Sequence, residues 1–278
     1  MNFPKFWAKG IQGDVACWRW SDQSLADAQA QALEAARKLM ERFSATDTFP
    51  PPYGYGDRPL REQVLREIKG PQGEVTAVIT RNAHGCLVLN TARVMFVDVD
   101  LPEAPETVVS FFKKLFGKAP PPSAPPAETA ALARVEDWTR KHPDWGWRVY
   151  RTRAGLRLLA THALFDPAAV LSEPVFDAVG ADPLYRKLCQ NQQSYRARLT
   201  PKPWRCRIGR PPARWPWPDA KSEGWFKDWE NGYLRACETK ATCALVATLG
   251  SPRLHDEVQA ILAVHDEATR AASKLALA

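Results

Sequence analysis

Residues 94–100 read VMFVDVD, a run whose polarity changes abruptly at residue 98. Val94–Val97 is continuously apolar, as in a strand that is covered on both faces of its sheet. Asp98 and Asp100 stand at the C-terminal end of this strand. Because residues two apart on a strand share a face, both carboxylates can converge on one divalent cation. The stretch therefore predicts a buried strand that ends in a site for Mg²⁺ or Mn²⁺.

The same two carboxylates also have interpretations without a metal. A DxD sequence often arises by chance, and both side chains could simply solvate the strand end and cap the next turn. Burying two unpaired carboxylates behind so apolar a strand is costly, which favours either a cation or an arginine partner. If the metal interpretation holds, Asp98→Ala is expected to abolish metal-dependent turnover and to leave the fold nearly unchanged.

Further strands are predicted on both sides of this run, where short alternating or apolar segments stand between turn residues. They are Val15–Trp20, Val75–Arg81, Cys86–Asn90, Trp147–Tyr150 and Leu156–Thr161. The last two are joined by a turn that contains Gly155, which predicts a hairpin.

This hairpin carries four arginines within ten residues: Arg148, Arg151, Arg153 and Arg157. Because side chains alternate along the second strand, the side chain of Arg157 can face the two aspartates. Its planar guanidinium matches phosphate oxygens and equally well matches a carboxylate. Arg157 is therefore expected either to contact a phosphate or to pair with Asp98 or Asp100 in the absence of a metal.

Helices are predicted between and after the strands, and together they indicate an α+β fold. They are Leu25–Phe43, Arg61–Ile68, Thr107–Phe116, Glu128–Lys141 and a last helix near Leu254–Leu275. The chain divides into an α/β module at 1–74, a core at 75–215 and a helical C-terminal segment at 216–278. The core contains a Pro-rich insertion near 117–127, and the three parts are expected to form one compact, two-lobed unit.

The stretch from Arg186 to Trp215 holds nine basic residues and no acidic one. Ordinary solvated faces mix the two signs of charge, so this bias favours an anionic partner. Arginines at two-residue spacing would form a one-sided ladder on extended chain, and aromatic residues between them offer stacking surfaces for bases. The alternative is an irregular basic surface held by Trp and Pro packing. With the hairpin arginines, the predicted binding residues are Arg148, Arg151, Arg153, Tyr195, Arg196, Arg198, Lys202, Trp204, Arg205 and Arg207.

The composition is that of a globular protein: 278 residues, 45% hydrophobic, 25% charged, with a net charge of +7. No apolar stretch is long enough to cross a membrane, and the first residues lack the apolar run of a secretory signal. Six cysteines stand without framework spacing, as expected for reduced thiols in the cytoplasm. Dinucleotide-binding, P-loop, α/β-hydrolase and zincin fingerprints do not occur in the sequence.

Asp98-x-Asp100 followed some fifty residues later by RTRAGLRLLAT is similar to the catalytic core of archaeo-eukaryotic-type primases and primase-polymerases. The resemblance covers roughly residues 75–210 and implies an RRM-like sheet flanked by helices, with an added N-terminal α/β module. It implies that Asp98 and Asp100 bind metal and that Arg157 stands where the family has a phosphate-contacting histidine. For the family's third acidic motif the candidates are Asp166, Asp177 and Asp182.

The leading hypothesis is a primase-polymerase-like protein that binds nucleic acid or nucleotide phosphates, with metal-dependent nucleotidyl transfer at Asp98 and Asp100. Arg157 would neutralise charge on the transferred group. A rival hypothesis is a non-catalytic nucleic-acid-binding or interaction module in which an arginine pairs with the aspartates. A third is a metal-dependent nuclease with His162 or Lys202 as its base.

Overall fold

The computed structural model describes residues 1–46, 48, 58–102, 126–170 and 172–278, and it confirms an α+β fold built on antiparallel sheets. The strands are β1 Phe6–Gln12, β2 Val15–Ser21, β3 Gln63–Lys69, β4 Val75–Arg81, β5 Leu87–Thr91, β6 Phe96–Asp100, β7 Gly146–Thr152, β8 Gly155–Ala160, β9 Tyr195–Arg198, β10 Lys240–Ala241, β11 Cys243–Gly250 and β12 Ala276–Leu277. The α-helices are α1 Leu25–Thr46, α2 Pro126–Lys141, α3 Pro174–Val179, α4 Pro183–Gln192, α5 Ala220–Cys237 and α6 Asp256–Thr269, with short 3₁₀ helices at Pro167–Ala169 and Pro203–Cys206.

The N-terminal part is an antiparallel hairpin, β1–β2, covered by helix α1. Ala28, Ala32 and Ala36 recur at four-residue steps along α1 and are fully buried, so they form an alanine stripe on one face of the helix. The helix lies very close to β1, since a methyl group on Gly10 would stand 2.2 Å from the carbonyl carbon of Ala32. Small residues on both elements therefore set the position of the hairpin.

The central sheet has the strand order β11-β7-β8-β6, and all its pairings are antiparallel. Asp98 lies opposite Arg157 and Asp100 lies opposite Gly155, so both aspartates belong to β6 and do not follow it. A side chain on Gly155 would stand 2.0 Å from the carbonyl oxygen of Val99, which explains the glycine at the start of β8. The predicted hairpin is confirmed, and it places Arg157 beside the aspartates.

The second sheet has the strand order β3-β4-β5-β9 and is also antiparallel. The helix predicted at Arg61–Ile68 was wrong, because Gln63–Lys69 is strand β3 and pairs with β4. Short apolar runs fit either a helix or a strand locally, and here pairing with a neighbouring strand decides between them. Because β3 lies before the predicted boundary at 74–75 and β4 lies after it, this sheet contains strands from both of the predicted parts.

The two sheets meet where β6 adjoins β9, and Tyr185 of α4 joins them. Its hydroxyl donates to the carbonyl of Phe96 (2.8 Å) and accepts from the N–H of Arg196 (3.3 Å). Residues of both sheets form a single hydrophobic core, to which the C-terminal segment adds Cys243, Val258 and Ile261.

The C-terminal segment was expected to be helical, but its strand β11 forms the edge of the central sheet. The predicted helix Thr107–Phe116 and most of the Pro-rich insertion lie outside the described residues. Within the described ranges, no helix has the length and apolar character that spanning a membrane requires.

Candidate functional site

A cleft of about 660 Å³ lies at the junction of the two sheets, with the N-terminal hairpin on one side. Acidic residues of β6 and α4 line one part of it, and basic residues of β9 and the following loop line another. Segment 58–62 and the turn at 82–84 complete the wall. No other site in the described part of the chain brings together so many of the residues that the sequence singled out.

The acidic part of the cleft contains Asp98, Asp100 and Asp182. The backbone N–H of Asp182 donates to the carbonyl of Asp98 (3.0 Å), which holds the start of α4 against β6. Burial raises the pKa of Asp100, and the nearby charges of Asp182 and Asp98 raise it further. The cleft thus holds negative charge that a bound cation would stabilise.

Of the three candidates for a third acidic motif, Asp182 lies in the cleft and the other two lie elsewhere. Asp166 caps the 3₁₀ helix Pro167–Ala169, and Asp177 pairs with Arg186 on the surface. The chain offers no local signal that separates Asp182 from these two, because all three precede or begin short helices.

Arg157 lies beneath the cleft and not in its wall, with 2% of its surface exposed. Its Nε donates to Oδ1 of Asp98 (3.0 Å), and its Nη1 donates to the carbonyl of Arg198 (2.9 Å). Burial alone would lower the pKa of Arg157, but the charge of Asp98 holds it above its ordinary value. The arginine pairing anticipated as an alternative is present, and Arg157 positions β6 against β9.

The carboxylates of the cleft do not by themselves form a complete metal site. Among the described residues, no three His, Cys, Asp or Glu side chains converge as cation ligands. Asp98 uses Oδ1 for Arg157, and Asp182 uses both oxygens to cap α4. Asp100 and the second oxygen of Asp98 remain, which suits Mg²⁺ or Mn²⁺ when substrate phosphates supply further ligands.

The basic part of the cleft begins with Arg196 and Arg198, which the sequence placed on one face of an extended strand. Both line the cleft. Arg196 donates from Nη2 to both carboxylate oxygens of Glu62 (2.8 and 3.0 Å) in a buried pair. Its Nη1, like the Nε of Arg198, is buried and has no hydrogen-bond acceptor within the described ranges. Buried donors of this kind usually have a partner, which a ligand, an ion or an ordered water can supply.

Lys202 and Arg61 add positive charge to the same cleft, and the imidazole of His84 also lines it. Burial and the neighbouring Arg198 and Arg205 lower the pKa of Lys202. Burial lowers the pKa of His84 as well, and the charges of Arg214 and Lys202 act in the same direction. Cations that depress one another's pKa values in this way favour a ligand with several negative charges.

Sequence reasoning missed Arg61 and His84. Arg61 was assigned to a helix, whereas it lies two residues before the start of β3. His84 lies in a turn that is held by Asn82, whose side-chain oxygen accepts from the N–H of His84 (2.9 Å) and of Cys86 (3.1 Å). The Asn-x-x-Gly sequence of this turn predicts the turn itself but not its contact with the cleft.

Several predicted binding residues from the hairpin have other partners. Arg148 donates to the hydroxyl of Tyr150 (3.0 Å) and to Asp266 (3.0 Å), and Arg151 pairs with Glu128 (2.9 Å). Arg153 is exposed at the turn and is not part of the cleft wall. The hairpin therefore supports the cleft through Arg157 and does not supply a row of arginines to it.

The basic ladder also ends sooner than expected. Tyr195 is fully buried in the core, so its ring offers no stacking surface. Arg205 lies in the 3₁₀ helix Pro203–Cys206 and Arg207 follows it in a left-handed conformation (φ 61°), so the extended chain stops before them. Trp204 is 48% exposed beside Lys202, whose Nζ lies 5.4 Å from its ring centre.

The two candidates for a nuclease base are in different places. His162 is buried beside Trp145 and accepts a hydrogen bond from the N–H of Gly146 (3.2 Å), away from the cleft. Lys202 lines the cleft. Of these two candidates, Lys202 is the one that lies in the cleft, and His162 packs against Trp145.

The chain matches no protein-family model, no curated protein and no solved structure. The resemblance to primase-polymerases consequently remains a prediction from the motif residues. The geometry of the cleft is the ground on which a function can be inferred.

Proposed function

We propose that this chain is a primase-polymerase-like protein whose cleft binds the phosphates of nucleotides or nucleic acid. The observation that carries the proposal is the pair of buried donors without acceptors, Nη1 of Arg196 and Nε of Arg198, in the cleft that also holds Asp98 and Asp100. Guanidinium donors are matched in shape and charge to phosphate oxygens.

A multiply charged ligand fits this cleft better than a single carboxylate. Arg61, Arg198 and Lys202 all line it, and like charges and burial lower the pKa of each. A triphosphate or a nucleic-acid backbone brings several negative charges into the same space and relieves this repulsion.

We further propose that Mg²⁺ or Mn²⁺ binds with the ligand and that the site performs nucleotidyl transfer. Asp100 and the free oxygen of Asp98 would hold the cation, which supplies charge neutralisation at the reacting phosphoryl group when bound. Arg198 and Lys202 hold the phosphates and stabilise negative charge that develops on them. Arg157 keeps Asp98 in place from below.

A second candidate function is binding without catalysis, and the ion pair between Arg157 and Asp98 favours it. This pair neutralises Asp98 without any metal, so the cleft could hold nucleic acid through its cations alone. Affinity would then fall steeply with salt and would not depend on divalent cations.

Isothermal titration calorimetry with ATP and with a single-stranded oligonucleotide tests the proposal. We expect binding that strengthens with Mn²⁺ or Mg²⁺ relative to EDTA, and primer extension in the presence of nucleoside triphosphates. Salt-sensitive binding that EDTA leaves unchanged would select the non-catalytic function. The absence of binding to either ligand would overturn both.

We also propose a cytoplasmic location. The six cysteines, Cys17, Cys86, Cys189, Cys206, Cys237 and Cys243, are free thiols. A chain with six unpaired cysteines suits a reducing compartment, where thiols are not oxidised to disulfides. Fractionation of cells that produce the tagged protein tests this location, and recovery outside the cytoplasm would overturn it.

A further inference from the structure

The N-terminal hairpin contributes a flat, partly exposed wall to the cleft. Trp18 of β2 lies under the guanidinium of Arg61, whose Cζ is 3.9 Å from the centre of the indole ring. Both residues line the cleft. The Arg61 side chain has no ion pair or hydrogen bond within the described ranges, and its guanidinium stacks on the indole of Trp18.

A second tryptophan of the same hairpin stands next to this pair. Trp7 of β1 also lines the cleft and is 6% exposed. Its indole Nε1–H is buried without an acceptor among the described residues. The hairpin side of the cleft is therefore aromatic and carries a donor without a partner, while the β9 side is cationic.

We infer that the cleft takes whole nucleotides, with the base stacked on the Trp18–Arg61 platform and the phosphates facing Arg198 and Lys202. This inference rests on the proposed phosphate-binding function and adds the place where the base binds. Indole rings and guanidinium planes both stack on bases, and the interaction depends on the presence of a ring more than on its identity. The cleft volume of about 660 Å³ lies within the usual range for small-molecule sites.

A base platform would distinguish ligands with a base from ligands of similar charge without one, whereas a phosphate site alone would bind both with similar affinity. Inorganic tripolyphosphate carries the charge of a nucleoside triphosphate without a base. The platform should add affinity for ATP and CTP and none for tripolyphosphate. Because stacking is tolerant of the base, ATP and CTP should both gain from it, the larger purine more.

Calorimetric titration of Trp18→Ala with ATP, CTP and tripolyphosphate tests the platform. We expect about 10-fold to 100-fold weaker binding of both nucleotides, as for the loss of one stacked base, and unchanged binding of tripolyphosphate. Trp18→Phe keeps a ring and should retain most of the affinity. Thermal unfolding of each variant shows whether the hairpin still folds, and Trp18→Phe remains informative if the alanine variant does not.

Trp225→Ala is the matched control, because Trp225 also carries a cation over its ring, Lys221 at 4.8 Å, but lies outside the cleft. It should bind all three ligands as the wild type does. Equal weakening of nucleotide and tripolyphosphate binding by Trp18→Ala, or no weakening of either, would overturn the platform alone. Wild-type protein that binds neither nucleotides nor tripolyphosphate would instead overturn the phosphate site, and the platform with it.

Discussion

Arg157 and Asp98 lie opposite each other on paired strands and form an ion pair, Nε to Oδ1 at 3.0 Å, at the base of the cleft. The guanidinium is almost completely buried, whereas about a third of the Asp98 side chain is exposed. Asp98 therefore has two roles, since it neutralises a buried cation on one side and faces the cleft on the other. A change at Asp98 affects both.

We expect Asp98→Ala to destabilise the fold by about 3 kcal/mol, because it leaves the buried Arg157 without its carboxylate. The sequence alone led to the opposite expectation of a nearly unchanged fold. Urea denaturation monitored by tryptophan fluorescence measures the difference. Asp100→Ala on the same strand is the control, and equal stability of the two variants would contradict the role of the ion pair.

Asp100→Asn should raise the melting temperature at neutral pH. The raised pKa of Asp100 means that the folded protein holds this proton more tightly than the unfolded chain does. The associated stability is complete at acidic pH, below the ordinary aspartate range, and is lost as the pH rises through the raised pKa. Removing the charge should raise the free energy of unfolding by less than about 1 kcal/mol, since water screens this exposed side chain.

The test for Asp100 is thermal unfolding of both proteins at several pH values. The advantage of Asp100→Asn should shrink as the pH falls through the raised pKa of Asp100 and should be largely gone below about 4. The same variant should lose the strengthening of ATP binding by Mn²⁺. A variant that is less stable than the wild type at neutral pH would show that Asp100 has a favourable partner in the protein.

Arg198→Ala should weaken nucleotide binding by about 10-fold or more, because it removes a charged donor from the cleft. The stability of this variant should change little, since no carboxylate among the described residues pairs with the Arg198 side chain. Arg207→Gly removes one positive charge outside the cleft, at a position whose left-handed backbone suits glycine. It should bind nucleotide as the wild type does, and equal losses in both variants would indicate a general charge effect.

Glu62→Ala should cost about 3 kcal/mol of stability, because Arg196 would remain buried without its partner. Glu62 also accepts a hydrogen bond from the hydroxyl of Thr80, so the change affects strand β4 as well. Glu34→Ala removes an exposed ion pair with Arg37 on α1 and should leave the stability nearly unchanged. Guanidinium chloride denaturation compares the two, and similar costs would contradict the importance of burial.

The sequence predicted those parts of the fold that carry a local signal. The apolar run before Asp98, the hairpin around Gly155 and the alanine stripe of α1 are patterns that a short window contains. The two-residue period of a strand predicts which face of β8 carries Arg157, so its pairing with Asp98 could be anticipated as well. These elements form the centre of the molecule and the acidic part of the cleft.

The rest of the cleft depends on contacts between segments that are distant in the chain. Glu62 forms an ion pair with Arg196, and the guanidinium of Arg61 stacks on Trp18. No local sequence pattern predicts either contact. The sequence of β3 also has apolar spacing that suits a helix, and pairing with β4 overrides it. Tertiary contacts of this kind can be seen only when the sheets are assembled.

The edge strand β11 gives this protein a particular order of assembly during synthesis. The last described segment that lines the cleft ends at Lys202, and Cys243–Gly250 is translated later. Until that strand leaves the ribosome, β7 presents an open edge on which another strand could pair. A nascent chain therefore contains the cleft residues before the last strand of the central sheet has been translated. The exposure of this edge to misassembly ends with a strand that lies outside the cleft.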